Sequence, residues 1–144
     1  MIRKAKIKDL SEIMDVIRDV NEKAQQESKE IIVKRISEEQ LLCYELDQKI
    51  IGFLGWDNKY KEDFDNWYLE QITVHKDYRG QGVGKKFILY FLDFCRKNGV
   101  KKVYGNVQEH NERSLKMFLN TGWIINKEKD KNTKNEITIE FDLR

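Results

Sequence analysis

The sequence predicts an α/β (α+β) domain: a mixed, mostly antiparallel central sheet of about seven strands flanked by helices. Three observations carry this. Apolar residues recur at helical spacing at Leu10, Ile13, Met14, Ile17 and Val20, and again at Val83, Phe87, Ile88, Phe91, Leu92 and Cys95. Short apolar or alternating runs bounded by turn residues fill the intervals between the helical stretches. The chain has 144 residues with no Ser-rich linker, internal repeat or long like-charge block. Such a length buries roughly two thirds of its unfolded surface in one core, so a single domain over residues 1–144 is expected.

In chain order, residues 2–7 alternate apolar and basic side chains as an edge strand does, and Asp9-Leu10-Ser11-Glu12 offers a capping box. The helix that follows should lay one stripe on the core until about residue 24. Residues 25–40 have poor periodicity and are expected to be helical in part. Residues 41–46 and 49–56, separated by Asp47-Gln48, read as an antiparallel hairpin, and 57–66 as a polar connection. Residues 67–75 form a strand, 79–84 a Gly-rich turn, and the second helical stripe ends at Asn98-Gly99. A strand at 101–107, a short helix at 111–120 closed near Gly122, and a final strand pair at 123–127 and 136–143 complete the order.

Hydrophobic residues at 40%, charged residues at 36% and a mean hydropathy of −0.73 exclude disorder and collagen. No apolar run approaches the roughly 18 residues needed to cross a bilayer, and MIRKAKIKD lacks the apolar core of a signal peptide. A cytoplasmic protein with no membrane partner is expected. Cys43 and Cys95 suggest neither a disulfide framework nor a zinc site, and Cys95 fits an apolar helix face. His75 and His110 lack a paired ligand spacing, so no metal is expected. The net charge of +2 argues against nucleic acid as a partner. Its distribution is uneven: residues 1–75 hold 12 Lys/Arg against 16 Asp/Glu, and residues 76–144 hold 15 against 9, so the halves favour ligands of opposite sign.

Residues 69–94, LEQITVHKDYRGQGVGKKFILYFLDF, carry the chemistry. Glycines at 80, 82 and 84 permit close approach of backbone to a ligand, and the helix after them presents unpaired N–H groups and a positive dipole end. That combination suits a phosphate; a bland tight turn is the alternative. The Walker pattern fails because Gly84-Lys85 is followed by Lys86, and a dinucleotide fingerprint fails on glycine spacing.

The segment resembles motif A of the GNAT superfamily of N-acetyltransferases, whose acetyl-CoA-binding turn reads Arg/Gln-x-x-Gly-x-Gly/Ala. Arg79, Gly82 and Gly84 occupy those places, and Val74 stands five residues ahead of Arg79 as the motif's valine does. A second family element, an asparagine, a small residue and an aromatic before Gly-Phe, resembles Asn111, Ser114, Phe118 and Gly122-Trp123. The resemblance implies the GNAT fold and an acetyl-CoA-dependent N-acetyltransferase acting by direct attack of a bound primary amine. The amine would belong to a small molecule, peptide or protein. Acetyl-CoA is the implied co-substrate, and the protein would be a monomer or homodimer.

The resemblance also implies roles for residues. Backbone amides of about Gln81 to Lys85, through Gly82, Val83 and Gly84, would cradle the pyrophosphate, with Gly80 also against the cofactor. Arg79, Lys85, Lys86 and Arg113 would offset the coenzyme's charge, an ordinary solvated face being the other reading of the lysines and the favoured one for Lys86. The pantetheine arm would lie between strands 67–75 and 101–107, along Ile72, Thr73 and Val74, with Asn111, Ser114 and Phe118 beyond. The N–H near Val74 is the family's donor to the thioester oxygen. Glu70 shares strand parity with Ile72 and Val74, the direction in which the family's acidic bases point, and is the candidate base; Tyr68 on that face would order a water instead. Glu70 as a solvent-facing residue or ion-pair member is the other reading. Many relatives use a tyrosine to protonate the leaving thiolate where this chain has Phe118, so Tyr104 or a water would serve, or the thiolate leaves unassisted. A capping role alone also accounts for Asn111, and core packing alone for Phe118.

Glu62, Asp63, Asp65 and Glu70 would favour a cationic acceptor, with Trp56, Phe64, Trp67 and Tyr68 as flat surface nearby; a charged, exposed loop is the plain alternative. The rival function is a non-catalytic acyl-CoA-binding or sensing module, which Phe118 favours. An RNA-binding reading of the basic half is weakened by the acids interspersed at 127–134.

Overall fold

A computed structural model of the chain describes residues 1–20, 22–59, 63–127 and 135–144, with backbone alone at 22–27. The elements are β1 (Ile2–Lys4), α1 (Leu10–Val20), α2 (Glu22–Ser37), β2 (Leu41–Leu46), β3 (Lys49–Asp57), β4 (Asn66–Val74), α3 (Val83–Lys97), β5 (Lys102–Gln108), α4 (Glu112–Asn120), β6 (Ile124–Ile125) and β7 (Glu136–Asp142). Seven strands form a mixed sheet in the order β1-β2-β3-β4-β5-β7-β6. The chain divides into two compact units, Met1–Trp56 with Gln71–Phe87, and Asp57–Glu70 with Ile88–Arg144.

In the first unit, β1, β2 and β3 pair antiparallel, from Ile2↔Tyr44 and from Leu41↔Gly55. β3 is buried at every position from Ile50 to Trp56, the pattern of a strand covered on both faces. Ile13, Met14, Val16 and Ile17 of α1 pack with Ile32, Cys43 and Phe53. The expected stripe is therefore present but rotated: Val16 joins it, and Val20 is 54% exposed. Burial pushes the Cys43 thiol up to about 11 and raises that of Cys95, so neither is a ready nucleophile.

The chain start departs from the sequence expectation. β1 ends at Lys4, and residues 7–9 turn as a short 3₁₀ helix ahead of α1. The carboxylate of Asp9 accepts the Lys6 N–H at 2.7 Å and two guanidinium N–H groups of Arg3 at 2.8 and 2.9 Å. Glu12 accepts the Ile50 N–H at 2.7 Å. Asp9 thus caps the short 3₁₀ turn and pairs with Arg3, while Glu12 makes a tertiary contact, so the expected box from Asp9 to Glu12 does not form. The first helix also ends at Val20 rather than near residue 24, with α2 beginning at Glu22.

The Arg3 hydrogen bond holds the Asp9 carboxyl below its ordinary value of 3.8; burial opposes this, and the Lys6 N–H adds to it. A depressed native pKa means that the contribution is complete above 3.8 and is lost as the pH falls through the lower native value. Asp9→Asn is expected to cost about 1–2 kcal/mol at neutral pH in urea unfolding. The gap from wild type should narrow as the pH is lowered below 3.8; a gap independent of pH would remove the carboxylate from the account.

Gly52 of β3 sets the spacing to β4. A Cβ there would lie 2.8 Å from the Thr73 carbonyl oxygen and 3.4 Å from the Phe87 ring. Backbone cannot swing aside as a side-chain tip can, so Gly52→Ala is expected to destabilise the protein by about 1–3 kcal/mol. Wild-type stability in the variant would show that the strands separate at no cost.

In the second unit, β4 pairs in parallel with β5 from Asn66↔Lys102 to Leu69↔Gly105, and β5 pairs antiparallel with β7 from Lys102↔Asp142 to Gln108↔Glu136. Period-two alternation buries Trp67, Leu69, Val103, Val107 and Ile139. Trp67 sits 6.4 and 6.0 Å from the rings of Phe91 and Phe94, and Trp123 5.1 and 6.0 Å from Phe118 and Phe141. The α3 stripe is buried as its spacing predicts, Cys95 included. Among the described residues, no helix is long and apolar enough to cross a membrane.

Candidate functional site

The Gly-rich turn is built in the first unit, where β4 ends. The His75 N–H donates to the Ile51 carbonyl at 2.8 Å, and residues 76–78 then close a 3₁₀ turn through Tyr78 N–H to the His75 carbonyl at 2.9 Å. His75 Nδ1 accepts the Asp77 N–H at 3.2 Å. Arg79 Nε–H donates to the Val74 carbonyl at 2.9 Å, and the Gln81 side-chain amide to the Asp77 carbonyl at 3.2 Å. The motif arginine therefore ties the turn back to its strand.

Gly80 and Gly82 take φ of +77° and +80°, which side chains with a Cβ adopt only at a cost. An ideal Cβ on Gly82 meets no atom within 4 Å, so that side of the turn is open to an incoming group. The Lys86 N–H donates to the Gly82 carbonyl at 3.1 Å, which leaves the N–H groups of Val83, Gly84 and Lys85 ahead of it without an acceptor inside the helix. Lys85 and Lys86 are exposed beside them. The Val83 side chain is 8% exposed, and Phe87 is buried edge-on to Tyr44 at 5.6 Å. Val83 can thus offer a ligand only its backbone, while its side chain anchors the first turn of α3. An anion of phosphate type is what such a cradle fits.

The other sequence candidates lie mainly in the second unit. Tyr68 and Tyr104 are direct partners in the β4–β5 pairing, and Tyr104 also faces Glu140, which holds Lys102 at 3.3 Å. The Tyr68 hydroxyl accepts the Asn106 amide at 3.0 Å, and the Asn106 carbonyl oxygen accepts the Thr138 hydroxyl at 2.9 Å. Glu70 is exposed on the strand face of Tyr68. Asn111 accepts the Ser114 N–H at 3.1 Å and so caps α4. Phe118 is 5% exposed and packs on Trp123. Ile72, Thr73 and Val74 are half-buried on the part of β4 in the first unit.

The expected acceptor surface is corrected by burial. Trp56 is 1% exposed, and Trp67 points to the buried face of its strand, so both rings are core. Asp63 is engaged by the Asp65 N–H and the Asn66 amide at 2.9 Å each, and Asp65 by Lys101 at 3.1 Å. Phe64 is 70% exposed, with the Lys59 ammonium 5.5 Å from its ring centroid. Glu62 lies outside the described residues. Among the described residues there is no cluster of three or more His, Cys, Asp or Glu that would hold a metal ion.

Residues 10–123 match the model of the Acetyltransferase (GNAT) family. The chain belongs to the GNAT family. This GNAT chain is 29% identical over 79 residues to the probable N-acetyltransferase camello of Xenopus laevis, an alignment covering 55% of the chain and 36% of that protein. It spans little more than a third of that relative's length. An acetyltransferase of the GNAT family from Bacillus cereus superposes with a TM-score of 0.81 at 25% identity, covering 99% of this chain and 96% of the other. The PaiA N-acetyltransferase of Thermoplasma acidophilum, solved in complex with coenzyme A, superposes with a TM-score of 0.82 at 19% identity, covering 99% and 98%.

Within the GNAT chain, the sequence reading missed Asn106, which donates to the Tyr68 hydroxyl, and Thr138, which donates to Asn106. Strand parity places Asn106 on the face of Tyr104, but only the β5–β7 register brings Thr138 opposite it.

Proposed function

We propose that this GNAT chain is an acetyl-CoA-dependent N-acetyltransferase that acts as one catalytic domain and acetylates a primary amine. The observation that carries the reading is the turn at 80–85: open space beside Gly82, and three N–H groups ahead of the first bond of α3. The amides of this turn bind the pyrophosphate, with Arg79, Lys85 and Lys86 adding positive charge. The fold is shared with a protein solved with coenzyme A bound, which supports the same ligand here.

The coenzyme supplies the acetyl group as a thioester. The N–H near Val74 donates to the thioester oxygen, where negative charge grows as the amine attacks. Glu70 accepts the amine proton as the new C–N bond forms and the C–S bond breaks. Asn106 donates to the Tyr68 oxygen and so fixes the phenol on the strand face that carries Glu70, where it helps to order water. Phe118 has no proton to give and is packed in the core. The thiolate therefore departs with help from Tyr104 or water, or unaided, since a free thiol ionises near pH 8.5.

A cationic acceptor fits this reading, because Glu70 adds negative charge to the exposed face of β4. Release of free thiol from acetyl-CoA should be followed across polyamines, amino sugars, amino acids and peptides. Turnover with one class establishes the enzyme and its acceptor. Coenzyme binding without turnover on any amine would favour the non-catalytic sensing module, the reading for which Phe118 speaks.

A further inference from the structure

We infer that Asp19, near the C-terminal end of α1, is a positioning residue for the phosphate-binding turn. The inference rests on the coenzyme reading of that turn. Much of the bonding described above for the segment leaving β4 is local, made with residues 74–81 themselves. Among the described residues, two hydrogen-bonded anchors reach it from elsewhere in the first unit. One is the Ile51 carbonyl, which fixes His75. The other is Asp19, whose carboxylate accepts the backbone N–H of Lys76 at 3.1 Å through one oxygen and the Lys76 ammonium at 3.0 Å through the other.

The placement of this aspartate is otherwise unfavourable. An acid in the last turn of a helix opposes the helix dipole, and Asp is among the weaker helix formers. A residue that breaks a local rule marks a place where a non-local contact outweighs it. Here that contact is visible, and it keeps the Asp19 side chain only 11% exposed. Burial acts to raise the Asp19 carboxyl, but the side-chain and backbone bonds from Lys76 and the neighbouring His75 outweigh it and lower the net value, so the carboxylate stays charged at neutral pH. Lys76 is raised in turn by the same bond.

The consequence for function is directional. Residues 76–78 lead through Arg79 into Gly80 and Gly82, whose positive φ values aim the amides of the turn. Fixing Lys76 at both its backbone and its side chain fixes where that path begins. A cradle pre-set for an anion binds it more tightly than one that must be ordered on binding. The same carboxylate lines a cleft of about 510 Å³ with Glu12, Asp15, Lys49, His75 and Lys76, so the anchor lies beside solvent rather than within the core.

Calorimetric titration of coenzyme A into the full chain tests this. Asp19→Ala removes both bonds and is expected to weaken binding about tenfold. Asp19→Asn keeps an oxygen for the Lys76 N–H, and Lys76→Met keeps the N–H itself; each should stay within about threefold of wild type. Titrations are run on protein shown to be folded by its melting curve, so a role confined to stability would lower the Tm and leave the affinity alone. Affinity of Asp19→Ala within twofold of wild type, or Asp19→Asn as impaired as Asp19→Ala, would overturn the assignment while the coenzyme reading stood. Wild-type protein that binds no coenzyme A would overturn that reading and the inference with it.

Discussion

Gly82→Val should abolish measurable acetyl-CoA binding, a loss of at least about 100-fold, while leaving a folded protein. The reason is steric and local. The Cβ of residue 82 points into space free of protein atoms to 4 Å, and that space is where a phosphate would approach the amides of residues 82–85. A branched side chain there excludes the ligand. Residue 82 has φ of +80°, so strain of about 1–2 kcal/mol lowers stability as well. Gly99 separates the two effects, because it shares a positive φ of +74° and open surroundings yet lies at the far end of α3. Gly99→Ala should lower the Tm and keep wild-type affinity for acetyl-CoA. Retained binding in folded Gly82→Val would end the phosphate-cradle assignment.

The second large effect is expected at Glu70. With an amine that turns over, Glu70→Gln should lower kcat by about 10²- to 10⁴-fold and leave acetyl-CoA affinity unchanged. Glutamine keeps the shape and hydrogen-bonding reach of glutamate but cannot accept a proton. The acidic limb of the pH–rate profile should therefore change with the rate. A variant with the wild-type profile and rate would remove Glu70 as base and leave Tyr68, through ordered water, as the group to test next.

How much of this was legible before the structure depends on how local the determining contacts are. The stripe at Val83, Phe87, Ile88, Phe91, Leu92 and Cys95 is continuous in sequence and is buried as its spacing predicts. The turn before it was readable for the same reason, since its strand, glycines and helix start are consecutive. Asn111 as a cap was readable because its partner, Ser114, is three residues away. The role of Glu12 was not, because its partner, the Ile50 N–H, is 38 residues away; Asp9 caps a turn one step earlier than the expected box, on Lys6 three residues before it. Trp56 and Trp67 look like binding surface as aromatic residues near carboxylates, but strand position and face decided their burial. Asp19 drew no attention because its partner at Lys76 is 57 residues on.

The central claim is that the amides of residues 80–85 hold the phosphates of acetyl-CoA. The most direct measurement is backbone amide chemical-shift mapping of the labelled protein during titration with coenzyme A. Saturable 1:1 shifts that are largest at residues 80–85 are predicted. No saturable shift, or the largest shifts away from β4 and the start of α3, would contradict the account.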